Sequence, residues 1–222
     1  MLLCVPDVLK GNDLQTVRDG LSVITFVDGK ETAHGLAKQV KNNLQASSKD
    51  TKQELLRGLV FEKVISHEMV RRAARPKTIS YLMFSKYEPG MAYGSHVDNP
   101  FQQGLRSDVS FTLFLSEADS YDGGELVIET TAGEQPIKLP AGAAVFYPST
   151  TLHRVNAITR GERLAAVGWI RSYIREASQR ELLFDLDTLR VSLKDTEGME
   201  MQRTLLSKSI ANLVRMWADD LR

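Results

Sequence analysis

The sequence predicts a mainly β core with helices before and after it. Three observations lead there. From Lys77 to Tyr173, short runs rich in Val, Ile, Phe, Tyr and Thr alternate with turn clusters, as a series of short strands does. Ahead of this stretch, Leu55, Leu56, Leu59, Val60, Val64 and Ile65 recur at the three-to-four spacing of a helix face. After it, Leu182, Leu183, Leu186 and Leu189, then Leu205, Leu206, Ile210, Leu213, Val214 and Trp217, return to helical spacing.

Composition limits what such a fold can do. The 222 residues are 42% hydrophobic and 25% charged, which suits one main globular domain with appendages and excludes a disordered or collagen-like chain. Twenty-eight basic residues balance twenty-eight acidic ones, so no global positive field exists for a nucleic acid or an anionic membrane. Cys4 is the single cysteine and cannot close an intramolecular disulfide. With no long uncharged apolar run and no basic-then-apolar leader, the expected setting is a bacterial-style cytoplasm.

Taken in order, the apolar residues from Leu14 to Phe26 predict a helix running into a strand. The polar stretch from Asn42 to Thr51 reads as a loop. The helix through Met69 ends in Arg71, Arg72 and Arg75, cations placed where a helix dipole favours them, before Pro76 stops it. Roughly eight short strands at sandwich-like spacing follow, and two helices broken near Gly198 close the chain, capping the β unit or joining copies as a homo-oligomer. Three regions result: 1–76 helical and strand, 77–173 the β domain, and 174–222 a helical extension.

Each of the four histidines can be weighed singly. His34 and His67 lie in or near helical stretches without a ligand-type partner at metal spacing and read as surface or satisfied core residues. His96 and Asp98 are two apart in a predicted strand and so face the same side. Such a pair occurs by chance about half a time in a chain of this composition, so it needs support. His153, at the start of another apolar run, is the candidate third ligand, with a β-hairpin histidine held by a polar partner as the competing reading. Two histidines and one carboxylate on one face of an octahedral ion leave three positions open, which favours iron(II) oxygen chemistry over closed structural zinc.

Arg163 follows His153 by ten residues, across the turn Arg160-Gly161-Glu162, and leads into an apolar strand. The expected hairpin places the two on neighbouring strands. A guanidinium aimed into an apolar barrel is costly unless it meets an anion, and its fork suits a carboxylate. An acidic cosubstrate is implied, with Arg160 the weaker candidate for the same task. Gly123-Gly124 reads as a tight turn, since no strand-then-helix context supports phosphate binding.

The run YEPGMAYGSHVDNP from Tyr87 to Pro100, DGGEL from Asp122 to Leu126 and the spacing His153 to Arg163 resemble the prolyl 4-hydroxylase class of iron(II)/2-oxoglutarate dioxygenases. With FVDGKETAHG and HRVNAITRGERLAAVGWIRS, the chain most closely resembles the bacterial PKHD-type hydroxylases, over nearly its whole length. The resemblance implies a double-stranded β-helix, or jelly roll, with flanking helices. It implies that His96, Asp98 and His153 bind Fe(2+) and that Arg163 binds the distal carboxylate of 2-oxoglutarate. Tyr87 would line the cosubstrate pocket and Tyr93 would sit beside the metal, where ordinary aromatic packing is the competing explanation. Asn99-Pro100 would end the ligand-bearing strand.

The implied activity consumes 2-oxoglutarate and O2, releases succinate and carbon dioxide, and hydroxylates an unactivated C–H bond, with L-ascorbate keeping the iron reduced. The primary substrate, whether a free amino acid, a peptidyl residue or a siderophore-related small molecule, is chosen by loops at the barrel mouth such as Pro100 to Ser107. Two other readings compete: a cupin-like metalloenzyme without 2-oxoglutarate, against which Arg163 argues, and a non-catalytic jelly-roll binding protein.

Overall fold

Apolar residues on both faces of one sheet decide the architecture, which a computed structural model describes for residues 1–32 and 38–219. Strand β1 (Leu3–Val5) leads to helix α1 (Gly11–Ser22), which buries Val17 and Leu21, and to β2 (Phe26–Asp28), as the periodicity predicts. A 3-10 turn at Gly29–Thr32 follows. His34 lies outside the described residues.

The expected loop from Asn42 to Thr51 is instead part of the sheets, through β3 (Lys41–Asn42) and β4 (Leu44–Ala46). Their inward residues are polar: Lys41, Asn43 and Gln45 are all buried, and the Gln45 amide donates to Met83 Sδ at 2.9 Å. Polar inward positions leave no apolar alternation to read. The single helix expected through Met69 is two, α2 (Lys52–Ser66) and α3 (Glu68–Ala74). His67 breaks them with extended backbone, its N–H donating to the Lys63 carbonyl and its own carbonyl accepting from Arg71. Arg75, left-handed at φ 48°, ends α3.

The remaining strands are β5 (Pro76–Tyr87), β6 (Ala92–His96), β7 (Phe101–Gln102), β8 (Leu105–Arg106), β9 (Val109–Phe114), β10 (Asp122–Gly123), β11 (Leu126–Thr130), β12 (Gly133–Ile137), β13 (Ala144–Pro148), β14 (His153–Val155), β15 (Ile158–Arg160) and β16 (Arg163–Ser172). They exceed the eight expected because β7, β8 and β10 are two-residue rungs, too short to leave a pattern. A seven-stranded sheet runs β1-β13-β9-β16-β5-β4-β2 and faces a five-stranded sheet, β12-β11-β14-β6-β3. All pairings are antiparallel. This is the double-stranded β-helix.

Strand β9 shows how the layers form. Val109, Phe111 and Leu113 join the apolar core shared with α1, α2 and α3. Thr112 and Phe114 turn to the space between the sheets. Covered on both sides, the strand is buried throughout. β16 divides likewise, with Leu164, Ala166 and Ile170 toward the helices and Arg163, Val167 and Trp169 toward the other sheet.

Helices α4 (Ala177–Ser192) and α5 (Glu200–Trp217) pack together around Leu183 and Ile210, and Gly198 at φ 77° makes the break between them. A buried ion pair from Arg75 to Asp187 ties α4 to the end of α3, and Arg190 holds the other Asp187 oxygen at 2.9 Å. Among the described residues, no helix is long and apolar enough to cross a membrane.

Candidate metal centre

His96, the last residue of β6, and His153, the first of β14, are register partners on adjacent strands. Their ring centres lie 4.2 Å apart, inclined at 51°. Asp98 approaches from two residues past the end of β6, so it belongs to the following loop and not to the strand as expected; Asn99-Pro100 does not end the strand either. A loop carboxylate can reach the ion without obeying the pleat. One ligand-type atom from each of the three lies within 4.8 Å of the others, and His153 Nε2 stands 3.8 Å from Asp98 Oδ1.

Hydrogen bonds orient all three. His96 Nδ1 lies 2.8 Å from the Gly94 carbonyl and His153 Nδ1 lies 3.0 Å from that of Thr151. Each imidazole therefore donates Nδ1–H to a backbone oxygen two residues earlier, which leaves Nε2 as the free lone pair facing the centre. The Ser110 hydroxyl donates to Asp98 Oδ2 at 2.5 Å, with the Ser149 hydroxyl 2.8 Å behind it. Burial, and secondly the neighbouring His153, lowers the His96 pKa from 6.5 to about 4. The neutral, ligating form thus prevails at neutral pH.

Arg163 enters from the opposite side. The expected hairpin joining it to His153 does not form, since β14 lies in the five-stranded sheet and β16 in the seven-stranded one. The chain crosses between sheets through β15, which pairs with β10, and so places the arginine across the cavity from the histidines. Arg163 is 1% exposed, with its guanidinium 5.3 Å from the ring centres of Tyr87 and Phe114. Its Nε has no hydrogen-bond partner, and no carboxylate among the described residues pairs with it. A buried cation without an anion is costly, so the position is suited to an acid brought in from outside. Arg160, the alternative, points outward and grips Asp122 at 2.7 Å.

Tyr87 is the register partner of Arg163 on β5 and is buried. Burial raises its hydroxyl pKa, with the Arg163 charge and the Asn43 hydrogen bond acting the other way. Tyr93 stacks on the His96 ring at 3.6 Å. These residues and the histidines line one cavity, at whose other end Tyr81 and Trp169 stack at 6.1 Å. Trp169 is six residues along β16 from Arg163, about 20 Å of strand.

Three contributors escaped the sequence reading. Ser110, the polar residue that binds Asp98, could have been suspected from its place inside VSFTLF. Gly124, read only as part of a turn, adopts φ 69°, and a Cβ there would come within 3.0 Å of Arg163 Cδ. The glycine therefore leaves room for Ile158 above all, and for Arg163 and Tyr121 beside it. Lys41 buries its side chain in the same cavity and carried no signal.

Residues 82–171 match the family model of the 2OG-Fe(II) oxygenase superfamily. Over 219 residues the chain is 50% identical to a PKHD-type hydroxylase of Picosynechococcus sp., covering 99% of this chain and 100% of that one. The chain belongs to the PKHD-type hydroxylases. As a member it is an Fe(II)- and 2-oxoglutarate-dependent dioxygenase that takes 2-oxoglutarate and O2 as cosubstrates, in a class where ascorbate is a typical addition. Solved structures share its fold: a Pseudomonas putida prolyl-4-hydroxylase at TM-score 0.50 and 20% identity, covering 77% of this chain and 92% of that one. A Trichoplax adhaerens prolyl hydroxylase reaches 0.55 at 14% identity, covering 82% and 86%. The donor set of this PKHD-type hydroxylase fits ferrous iron: two imidazoles and one carboxylate converge, a set of nitrogen and oxygen donors suited to that ion.

Proposed function

We propose that His96, Asp98 and His153 hold Fe(II), that Arg163 binds the far carboxylate of 2-oxoglutarate with Tyr87 against it, and that the product is a hydroxylated C–H bond of an organic substrate entering at the Tyr81–Trp169 end. One observation carries this reading. A convergent two-histidine, one-carboxylate set and a buried arginine without an anion line the same cavity from opposite sheets.

Bound there, iron and 2-oxoglutarate supply the oxidation: O2 is consumed as the keto acid loses carbon dioxide to become succinate, and one oxygen atom enters the substrate. The chain's own residues supply placement. Arg163 fixes one end of the dianion with its planar fork, so the keto-acid end is delivered to the triad. Gly94 and Thr151 carbonyls keep both Nδ1 protons away from the centre. Ser110 holds Asp98 Oδ2, leaving Oδ1 to face His153. Val167 and Met83, in register between the two ends of the cavity floor, keep that floor apolar and exclude water beside the reacting carbon.

Anaerobic titration tests the proposal. Fe(II) and 2-oxoglutarate together should produce a visible charge-transfer band that neither produces alone, and admission of O2 should convert 2-oxoglutarate to succinate. No band and no succinate would overturn it.

A further inference from the structure

The seven-stranded sheet stops short on one side of the cavity. Strand β4 pairs with β5 at Ser85 and Lys86, so the stretch of β5 from Ile79 to Leu82 has β16 on one side and, among the described residues, no strand on the other. The neighbouring ladder fixes where its backbone points. Leu115 N–H donates to the Leu164 carbonyl at 3.0 Å, so Leu164, Ala166 and Gly168 direct their backbone groups to β9. Leu82, the register partner of Gly168, therefore turns its own N–H and carbonyl away from β16. Such an edge is a template for another strand.

The edge borders a groove of about 270 Å³ between α2 and the β7–β8 hairpin, which contributes Gln103. Four successive residues, Ile79 to Leu82, line it, and side chains that alternate between faces could not all do so. Ile79 and Leu82 send their side chains into the apolar core, and the Ser80 hydroxyl donates to the Trp169 carbonyl, so backbone forms this wall. Gly58 and Phe61 of α2 form the facing wall. A glycine weakens a helix interior, and a Cβ at Gly58 would meet nothing within 4 Å, so no packing demands it. Its effect is to leave the groove clear. Tyr81 lines both this groove and the cavity of the metal centre, with the Arg57 guanidinium 5.2 Å from its ring centre.

We propose that the groove docks an extended polypeptide segment, which adds to the free edge of β5 as a further strand and passes a side chain over Tyr81 into the cavity. The inference rests on the function proposed above, for which it makes the primary substrate peptidyl. Alternating N–H and carbonyl groups are what a strand edge recognises, and an extended backbone carries them at the matching spacing. The flanking helix and hairpin admit a single chain and hold off the sheet edge of a second copy.

Fluorescent, amide-capped hexapeptides randomised at every position and selected on the full-length protein test this by anisotropy. Selected peptides should bind about tenfold or more weaker when one alternate set of residues is N-methylated and keep their affinity when the other set is, because one set alone faces β5. Gly58→Trp, which fills the groove from an open helix position, should weaken them by a similar factor without lowering the thermal midpoint, while Gly58→Ala retains them. In anaerobic protein carrying Fe(II) and 2-oxoglutarate, bound peptide should shift the visible band. The inference is overturned if no peptide is selected, if the two methylated sets behave alike, if Gly58→Trp binds as wild type does, or if binding leaves the band unmoved. Self-association that Gly58→Trp abolishes would assign the edge to a second copy and overturn it too. Peptide binding by a wild type that shows no band would instead remove the function proposed above and leave the docking edge standing.

Discussion

Ser110 Oγ lies 2.5 Å from Asp98 Oδ2, joining the buried strand β9 of one sheet to the loop carboxylate that follows β6 of the other. The bond fixes which Asp98 oxygen is left for a metal. Ser110→Ala should leave the fold intact and weaken ferrous binding by about tenfold to a hundredfold, the usual cost of losing such a supporting contact. Chelator competition would measure it, and unchanged affinity would show that Asp98 orients itself.

His96→Ala and His153→Ala each remove one of the two inward Nε2 atoms. Ferrous content after loading and desalting should drop to background in both, along with 2-oxoglutarate consumption. Retention of stoichiometric iron in either variant would exclude that histidine as a ligand.

Arg163→Ala should raise the 2-oxoglutarate concentration needed for half-saturation by tenfold or more, in keeping with loss of a charge-assisted fork. Arg160→Ala, which breaks only an exposed pair with Asp122, should change it little. Gly124→Ala should fall between the two, because a Cβ at this left-handed position would crowd Ile158 Cδ1 first and then Arg163 Cδ and the Tyr121 ring. Saturation curves for the three variants check the ordering.

The depressed His96 pKa sets a pH dependence for metal-free protein. Between about 4, the folded value, and 6.5, the unfolded chain binds the extra proton more readily. The neutral ring's contribution is therefore complete above pH 6.5 and is lost as pH falls toward 4, at most about 3 kcal/mol. Thermal unfolding in chelator should show a lower midpoint at about pH 5 than at about pH 7, with a smaller drop in His96→Gln. An equal drop in both would place the effect elsewhere.

Asp187→Ala would leave Arg75 buried without its anion. Breaking such a pair costs about 3–5 kcal/mol, so the melting midpoint should fall by several degrees. Chemical denaturation would show whether α4 and α5 detach first or with the core.

Much of the candidate site could be read along the chain because the chain has only four histidines, each of which can be weighed singly. His96, Asp98, His153 and Arg163 stand out in local runs, and the alternation from Lys77 to Tyr173 announces short strands. The break at His67 and the strands β3 and β4 could not be read in this way. The first depends on extended backbone at one residue, and the second bury Lys41, Asn43 and Gln45, polar side chains whose inward direction only long-range pairing sets.

The sequence by itself determined the fold class and the inventory of ligand-type and cationic groups, since residue type and spacing specify both. Only the tertiary structure decided how they meet. The crossover through β15 sets Arg163 opposite the histidines when local spacing suggested a place beside them, and a loop brings in Asp98. Lys41 joins them because an edge strand pairs with β6. Distances across a cavity depend on which strands pair over long separations, and no local pattern records that choice.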